Sequence, residues 1–93
     1  MAFATRTIPI VNERGLHARA AAKFTALVEN FASDVSVSNG RETVSGRSIM
    51  GLLLLAAAKE TDITVTASGS DAEEAMAALC GLVGRGFDEE PAG

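Results

Sequence analysis

The chain has one imidazole, at His17, within the stretch NERGLHARAAAKF over residues 12–24. Gly15 and Leu16 precede it, and from Ala18 an alanine-rich run can begin a helix. As the N-cap of that helix, His17 would sit beside the backbone N–H groups of Ala18, Arg19 and Ala20, which lack intrahelical acceptors. Those donors, the helix dipole and the Arg19 guanidinium together suit an anion. A neutral imidazole nitrogen placed there is a nucleophile inside a phosphate cradle, and its product would be a phosphohistidine. Spacing alone favours an ordinary solvated histidine beside an arginine. No elbow sequence flags a serine nucleophile. A single cysteine, Cys80, with a single histidine makes neither an internal disulfide nor a metal site, so no metal and no cofactor is expected. With 93 residues there is little room for a substrate pocket, and a partner would have to complete any active site.

The elements that must position these residues follow from periodicity and turn chemistry. Residues 3–11 are β-branched enough for a strand, and Pro9 assigns that strand to a sheet edge. From Ala18 to Asn30 the stripe Ala20, Ala21, Phe24, Leu27, Val28, with Phe31 beyond, recurs at helical spacing. Asp34 to Ser38 alternates valine with serine. Asn39-Gly40 predicts a hairpin, with Arg41 to Ser45 returning antiparallel. Ser48 can cap a short helix over Ile49 to Ala57, and Thr61 to Ser68 alternates again as a fourth strand. Ser70 with Glu73 has the spacing of a capping box opening a third helix, which ends among Gly84 and Gly86. The tail FDEEPAG is expected to fray. This order predicts a single α+β domain over residues 1–93, with the helices on one face of an antiparallel sheet.

Composition narrows the partners. Hydrophobic residues make up 47% and charged residues 22%, as in ordinary globular chains. The net charge of −4 argues against nucleic acid. Arg6, Arg14, Arg19, Lys23, Arg41 and Arg47 nevertheless crowd the first half, which suits a small anion or an acidic protein face. The run Leu52–Ala58 is far short of a bilayer crossing, and no signal peptide is evident, so a soluble, cytoplasmic protein is expected.

Three segments carry a family likeness. GLHARAAAKF at 15–24, SGRSIMGLLLL at 45–55 and SGSDAEEAM at 68–76 closely resemble the HPr-type histidine-containing phosphocarriers (HPr/NPr) of the bacterial phosphotransferase system. The resemblance covers nearly the whole chain. It implies an open-faced β-sandwich, a four-stranded antiparallel sheet with three helices on one face. It also implies a carrier rather than an enzyme, sometimes classed as a transferase component. Phospho-enzyme I, or its nitrogen-branch paralogue, would phosphorylate His17 on Nδ1, and an enzyme IIA would receive the group. Arg19 matches the arginine that neutralises the phosphoryl group. Ser48 matches a serine modified by an HPr kinase/phosphorylase, where neighbouring Arg47 could pair with the phosphate. Leu16, Arg47, Ile49, Met50 and Leu53 fall on the expected docking face, although periodicity alone equally allows core packing for Met50 and Leu53. A monomer is expected, since a carrier must expose one site to several partners. The alternative is a regulatory binding module controlled through Ser48 without phosphorelay.

Two departures from the family pattern stand out. Ala20 occupies a position that is usually proline, which restores one N–H donor at the edge of the cradle. The segments LLLLAAAKE and GFDEE resemble the nitrogen-related branch, whereas SIMG resembles the sugar branch and the kinase-regulated carriers. The mixture leans toward a regulatory phosphorelay.

Overall fold

The computed structural model describes residues 2–55 and 57–89. Along the chain run β1 (Ala2–Pro9), α1 (Ala18–Val28), β2 (Asp34–Ser38), β3 (Thr43–Ser45), α2 (Ile49–Leu55), β4 (Asp62–Gly69) and α3 (Ala72–Gly84), followed by a 3₁₀ turn over Gly86–Asp88. The four strands form one antiparallel sheet in the order β1-β4-β2-β3, so β1 is an edge strand, as Pro9 requires. Its register runs from Ala2↔Gly69 to Pro9↔Asp62, and β2 pairs with β4 from Asp34↔Ser68 to Ser38↔Thr64.

Alternation in β2 and β4, with Ala4 and Ile8 in β1, makes the sheet two-faced; Arg6 between them stays exposed. Ala4, Ile8, Val35, Val37, Ile63, Val65 and Ala67 point into a core closed by Phe24 and Val28 of α1, Leu52 and Leu55 of α2, and Met76, Leu79 and Val83 of α3. The opposite face is lined with hydroxyls. Thr5 meets Thr66, and Thr7 meets Thr64, each with oxygens 3.1 Å apart. A face that satisfies itself in this way needs no second layer, and all three helices lie on the other side.

Several elements are shorter than periodicity suggests. α1 stops at Val28 rather than Asn30, because the Asn30 and Phe31 N–H groups turn back onto Leu27 and Val28 carbonyls. β3 begins at Thr43, since Asn39 Oδ1 accepts from the N–H groups of both Arg41 and Glu42 and keeps residues 39–42 as a loop. The expected last residues of α2 differ too: Ala56 lies outside the described residues, and Ala57 is non-helical.

The Ser70–Glu73 capping box does not form. Asp71 is the N-cap of α3 and makes no side-chain cap bond. Its carboxylate instead accepts from Ala32 N–H at 2.8 Å, Ser33 N–H at 2.9 Å and Ser33 Oγ at 2.5 Å, pinning the loop after α1. The Ser33 hydroxyl, then the Ala32 N–H, hold the Asp71 carboxyl below its ordinary value of 3.8. A depressed carboxylate stabilises the fold above its unfolded pKa and loses that contribution as pH falls through the folded one. Asp71→Asn should therefore melt below wild type at neutral pH, with the gap closing on acidification below the unfolded value. Thermal melts across that range check it, and a gap independent of pH would refute the clamp.

Candidate functional site

The site is built where the β1–α1 loop, the start of α1 and the segment from Gly86 to Glu89 meet. Gly15 turns the loop in the left-handed region at φ 64°, with its N–H on the Asn12 carbonyl at 3.1 Å. The loop is then stitched to the segment after α2: Ile10 N–H reaches Thr61 O, Glu60 N–H reaches Ile10 O, and Leu16 N–H reaches Ala57 O, each at 2.8 Å. This stitching turns Leu16 inward, only 4% exposed. Leu16 was expected on the docking face; its place in the core makes it an anchor for the loop instead.

His17 is the N-cap of α1, with extended backbone angles and its carbonyl accepting Ala21 N–H at 2.8 Å. Its Nδ1 accepts the Arg19 N–H at 3.2 Å, and its Nε2 lies 2.5 Å from Glu89 Oε2. Because Nδ1 accepts and Nε2 faces a carboxylate, the ring proton sits on Nε2. The Nδ1 lone pair therefore points at the Arg19 N–H in the first turn of α1. Ala18 opens the helix and, like Arg19, is exposed, whereas Ala20 is buried. The Arg19 side chain is exposed and forms no hydrogen bond with a described residue. With Asn12, Arg14, Lys23, Arg85 and Glu89 it lines a cleft of about 710 Å³, whose wall also carries Glu13 and Asp88 but not His17.

Glu89 and Asn12 were not singled out from the sequence. The tail expected to fray from residue 87 is ordered to Glu89; residues 90–93 lie outside the described residues. Phe87 is fully buried. Phe87 and Asp88 both take φ 59°, a conformation that costs roughly 1–2 kcal/mol for a residue with a Cβ. Offsetting contacts hold it: Lys23 Nζ donates to Phe87 O at 2.7 Å, and Arg85 Nε donates to Asp88 Oδ1 at 2.8 Å. The turn delivers Glu89 to Asn12 and His17. Burial pushes the Glu89 carboxyl up, but the bonds from Asn12 and His17, with Arg14 nearby, outweigh it and hold the group below its usual value. A buried aromatic straight after a glycine, inside an otherwise polar tail, is the signal that could have marked this segment.

The other expected residues lie on α2. Ser48 Oγ accepts the Gly51 N–H at 2.9 Å and caps the helix. Ile49, Met50 and Leu54 are 41%, 69% and 70% exposed, so α2 presents an apolar surface. Leu53 is only half-buried and packs against the core; Leu54, which was not singled out, is the more exposed neighbour. Arg47 is already engaged. Its guanidinium meets Glu29 at 3.0 Å and donates to the carbonyls of Phe31 and Ser33 at 3.2 and 3.4 Å, just beyond the C-terminus of α1, where cations are favoured. A phosphate on Ser48 would compete with these partners for the guanidinium.

The family comparison agrees with this architecture. The model described as "PTS HPr component phosphorylation site" matches residues 4–85. The chain belongs to the HPr family. Among the HPr family's curated members, the phosphocarrier protein HPr of Neisseria meningitidis serogroup A is 48% identical over 84 residues, covering 90% of this chain and 94% of the relative. The phosphocarrier protein NPr of Escherichia coli K12 is 40% identical over 86 residues, covering 91% and 96%. Among solved HPr structures, HPr-C-His from Thermoanaerobacter tengcongensis superposes with a TM-score of 0.89 at 38% identity, covering 94% of this chain and 98% of that one. The HPr fold expected from sequence is the one observed, and the chain is a phosphocarrier of the phosphotransferase system by family. No helix among the described residues is long and apolar enough to cross a membrane.

Proposed function

We propose that His17 is the phosphoryl acceptor of this carrier, loaded on Nδ1 by phospho-enzyme I or its nitrogen-branch paralogue and discharged to an enzyme IIA. One observation carries this reading: the Nδ1 lone pair faces the N-terminus of α1, with the Arg19 N–H as its donor. Transfer of a phosphoryl group demands in-line positioning and charge neutralisation more than covalent machinery, so a small domain suffices. Nδ1 forms the bond to phosphorus while the bond to the donor breaks, its electrons returning to the donor. The Ala18 and Arg19 N–H groups, the Ala20 N–H at the edge and the Arg19 guanidinium then hold the new oxygens. The apolar surface of Ile49, Met50 and Leu54 supplies a dry contact when a partner docks, with Leu53 supporting it from beneath. The monomeric state leaves this surface open. HPr and NPr both occur among the relatives, so the acceptor is assigned here as an enzyme IIA of either branch.

Incubation with enzyme I and phosphoenolpyruvate should give a phosphoprotein that is labile in acid and stable in base. The absence of such a label on wild type would overturn the carrier reading.

Ser48 is the proposed regulatory site, modified by an HPr kinase/phosphorylase. The hydroxyl caps α2 beside the exposed Ile49 and Met50, so a phosphate would put about −1.5 to −2 charges on the docking surface. Acidic partners would be repelled without unfolding the helix. Ser48→Ala should lose kinase- and ATP-dependent labelling, keep the acid-labile label, and lower stability by about 0.5–2 kcal/mol through the lost cap. Undiminished kinase labelling of the variant would refute the assignment.

A further inference from the structure

We infer that Glu89, seated by Asn12, is a positioning and charge-balancing residue for phosphoryl transfer at His17, acting on the ring nitrogen opposite the one that reacts. The inference rests on the carrier reading above and gives a role to a contact that reading does not use.

The reaction creates charge. When the Nδ1 lone pair forms the bond to phosphorus and the donor departs with its own electron pair, no proton has to leave the ring. The imidazole becomes a phosphoimidazolium that keeps its Nε2 proton, and the positive charge spreads to Nε2. Glu89 Oε2 lies 2.5 Å from that atom, with the two side chains only 21% and 17% exposed. A carboxylate there offsets the new charge where water is partly excluded. In the reverse step it keeps Nε2 protonated, so the ring leaves phosphorus as a neutral imidazole and not as an anion. One group thus assists both loading and discharge, as a carrier requires. The logic is that of a carboxylate orienting a catalytic histidine from its far nitrogen.

The carboxylate is itself held in place. Asn12 is buried, and its Nδ2 donates to Gly15 O at 2.8 Å and to Glu89 Oε1 at 2.5 Å. Both partners are acceptors, so the amide nitrogen must face them, and Asn12 Oδ1 is left buried without a partner among the described residues. Asn12 therefore couples the turn that presents His17 to the carboxylate that orients it. The left-handed pair Phe87–Asp88, tied down through Lys23 and Arg85, aims Glu89 at the ring. Strain at two successive non-glycine residues, spent on delivering one side chain, fits a functional contact.

Glu89→Gln keeps an oxygen acceptor and loses the charge; Glu89→Ala loses both. In the unphosphorylated protein, 15N spectra of the His17 ring at alkaline pH should show the Nε2–H tautomer for wild type and Glu89→Gln, and a mixture for Glu89→Ala. Phosphoryl acceptance from phospho-enzyme I should fall at least about tenfold for Glu89→Gln, and further for Glu89→Ala, with melting temperatures close to wild type. Wild-type transfer rates in both variants, or a wild-type ring spectrum in Glu89→Ala, would overturn the inference and leave the carrier reading standing. Failure of wild type to accept phosphate would instead overturn the carrier reading, and this role with it.

Discussion

His17→Ala should accept no acid-labile phosphate at all, and His17→Asn should be equally inactive while remaining more stable than His17→Ala. The pair of variants separates two duties of one side chain. As N-cap, His17 accepts the Arg19 N–H at 3.2 Å, and losing such a cap to alanine costs about 0.5–2 kcal/mol. Asparagine is among the best N-caps and restores that bond, but its amide is no nucleophile toward phosphorus. Urea unfolding of the three proteins measures the first duty, and enzyme I with labelled phosphoenolpyruvate measures the second. Base-stable label on His17→Asn above background would mean that another nitrogen carries the phosphoryl group.

Gly15→Ala should cost more stability than any other single methyl added to the site loop. A Cβ on Gly15 would lie 2.2 Å from the Ala57 carbonyl oxygen and 3.0 Å from Ala58 Cα, both backbone atoms with no rotamer by which to retreat. The same Ala57 carbonyl accepts the Leu16 N–H, so relieving the clash means breaking the stitch that turns Leu16 into the core. Left-handed strain adds about 1–3 kcal/mol and overpacking a similar amount. A total loss of about 2–6 kcal/mol is a large share of the roughly 5–15 kcal/mol that holds a domain folded. Phosphoryl acceptance should fall with it, because Gly15 O also seats Asn12. Equal urea midpoints for variant and wild type would show that the loop does not make this turn.

Much of the molecule could be read from local chemistry. Alternation in β2 and β4, the Pro9 edge, the Asn39-Gly40 turn and the caps at His17 and Ser48 are each decided within a few residues, where sequence speaks directly. What escaped depends on contacts across the chain. Ser70 and Glu73 have the spacing of a local cap, but Asp71 between them serves residues 32 and 33, and the long-range clamp displaced the box. Arg47 reads as a free cation beside a serine until the end of α1 arrives next to it. Leu16 reads as docking surface until Ala57 pulls its backbone inward. The acidic tail reads as solvent-loving, and nothing near Glu89 in sequence hints that Asn12 and His17, at the other end, will bind it.

The sheet order has a bearing on when the carrier comes into being during synthesis. Ala2 pairs with Gly69, so the first strand made is without its neighbour until the fourth has cleared the ribosome. Translation at about 5–20 residues per second therefore leaves the nascent β1 unpaired for several seconds. Closing so long a loop is also entropically slow compared with forming the helices between. Glu89 emerges later still. An incomplete chain can wind α1 and display a histidine, but it cannot yet offer the seated imidazole that a phosphoryl donor would meet in the finished protein.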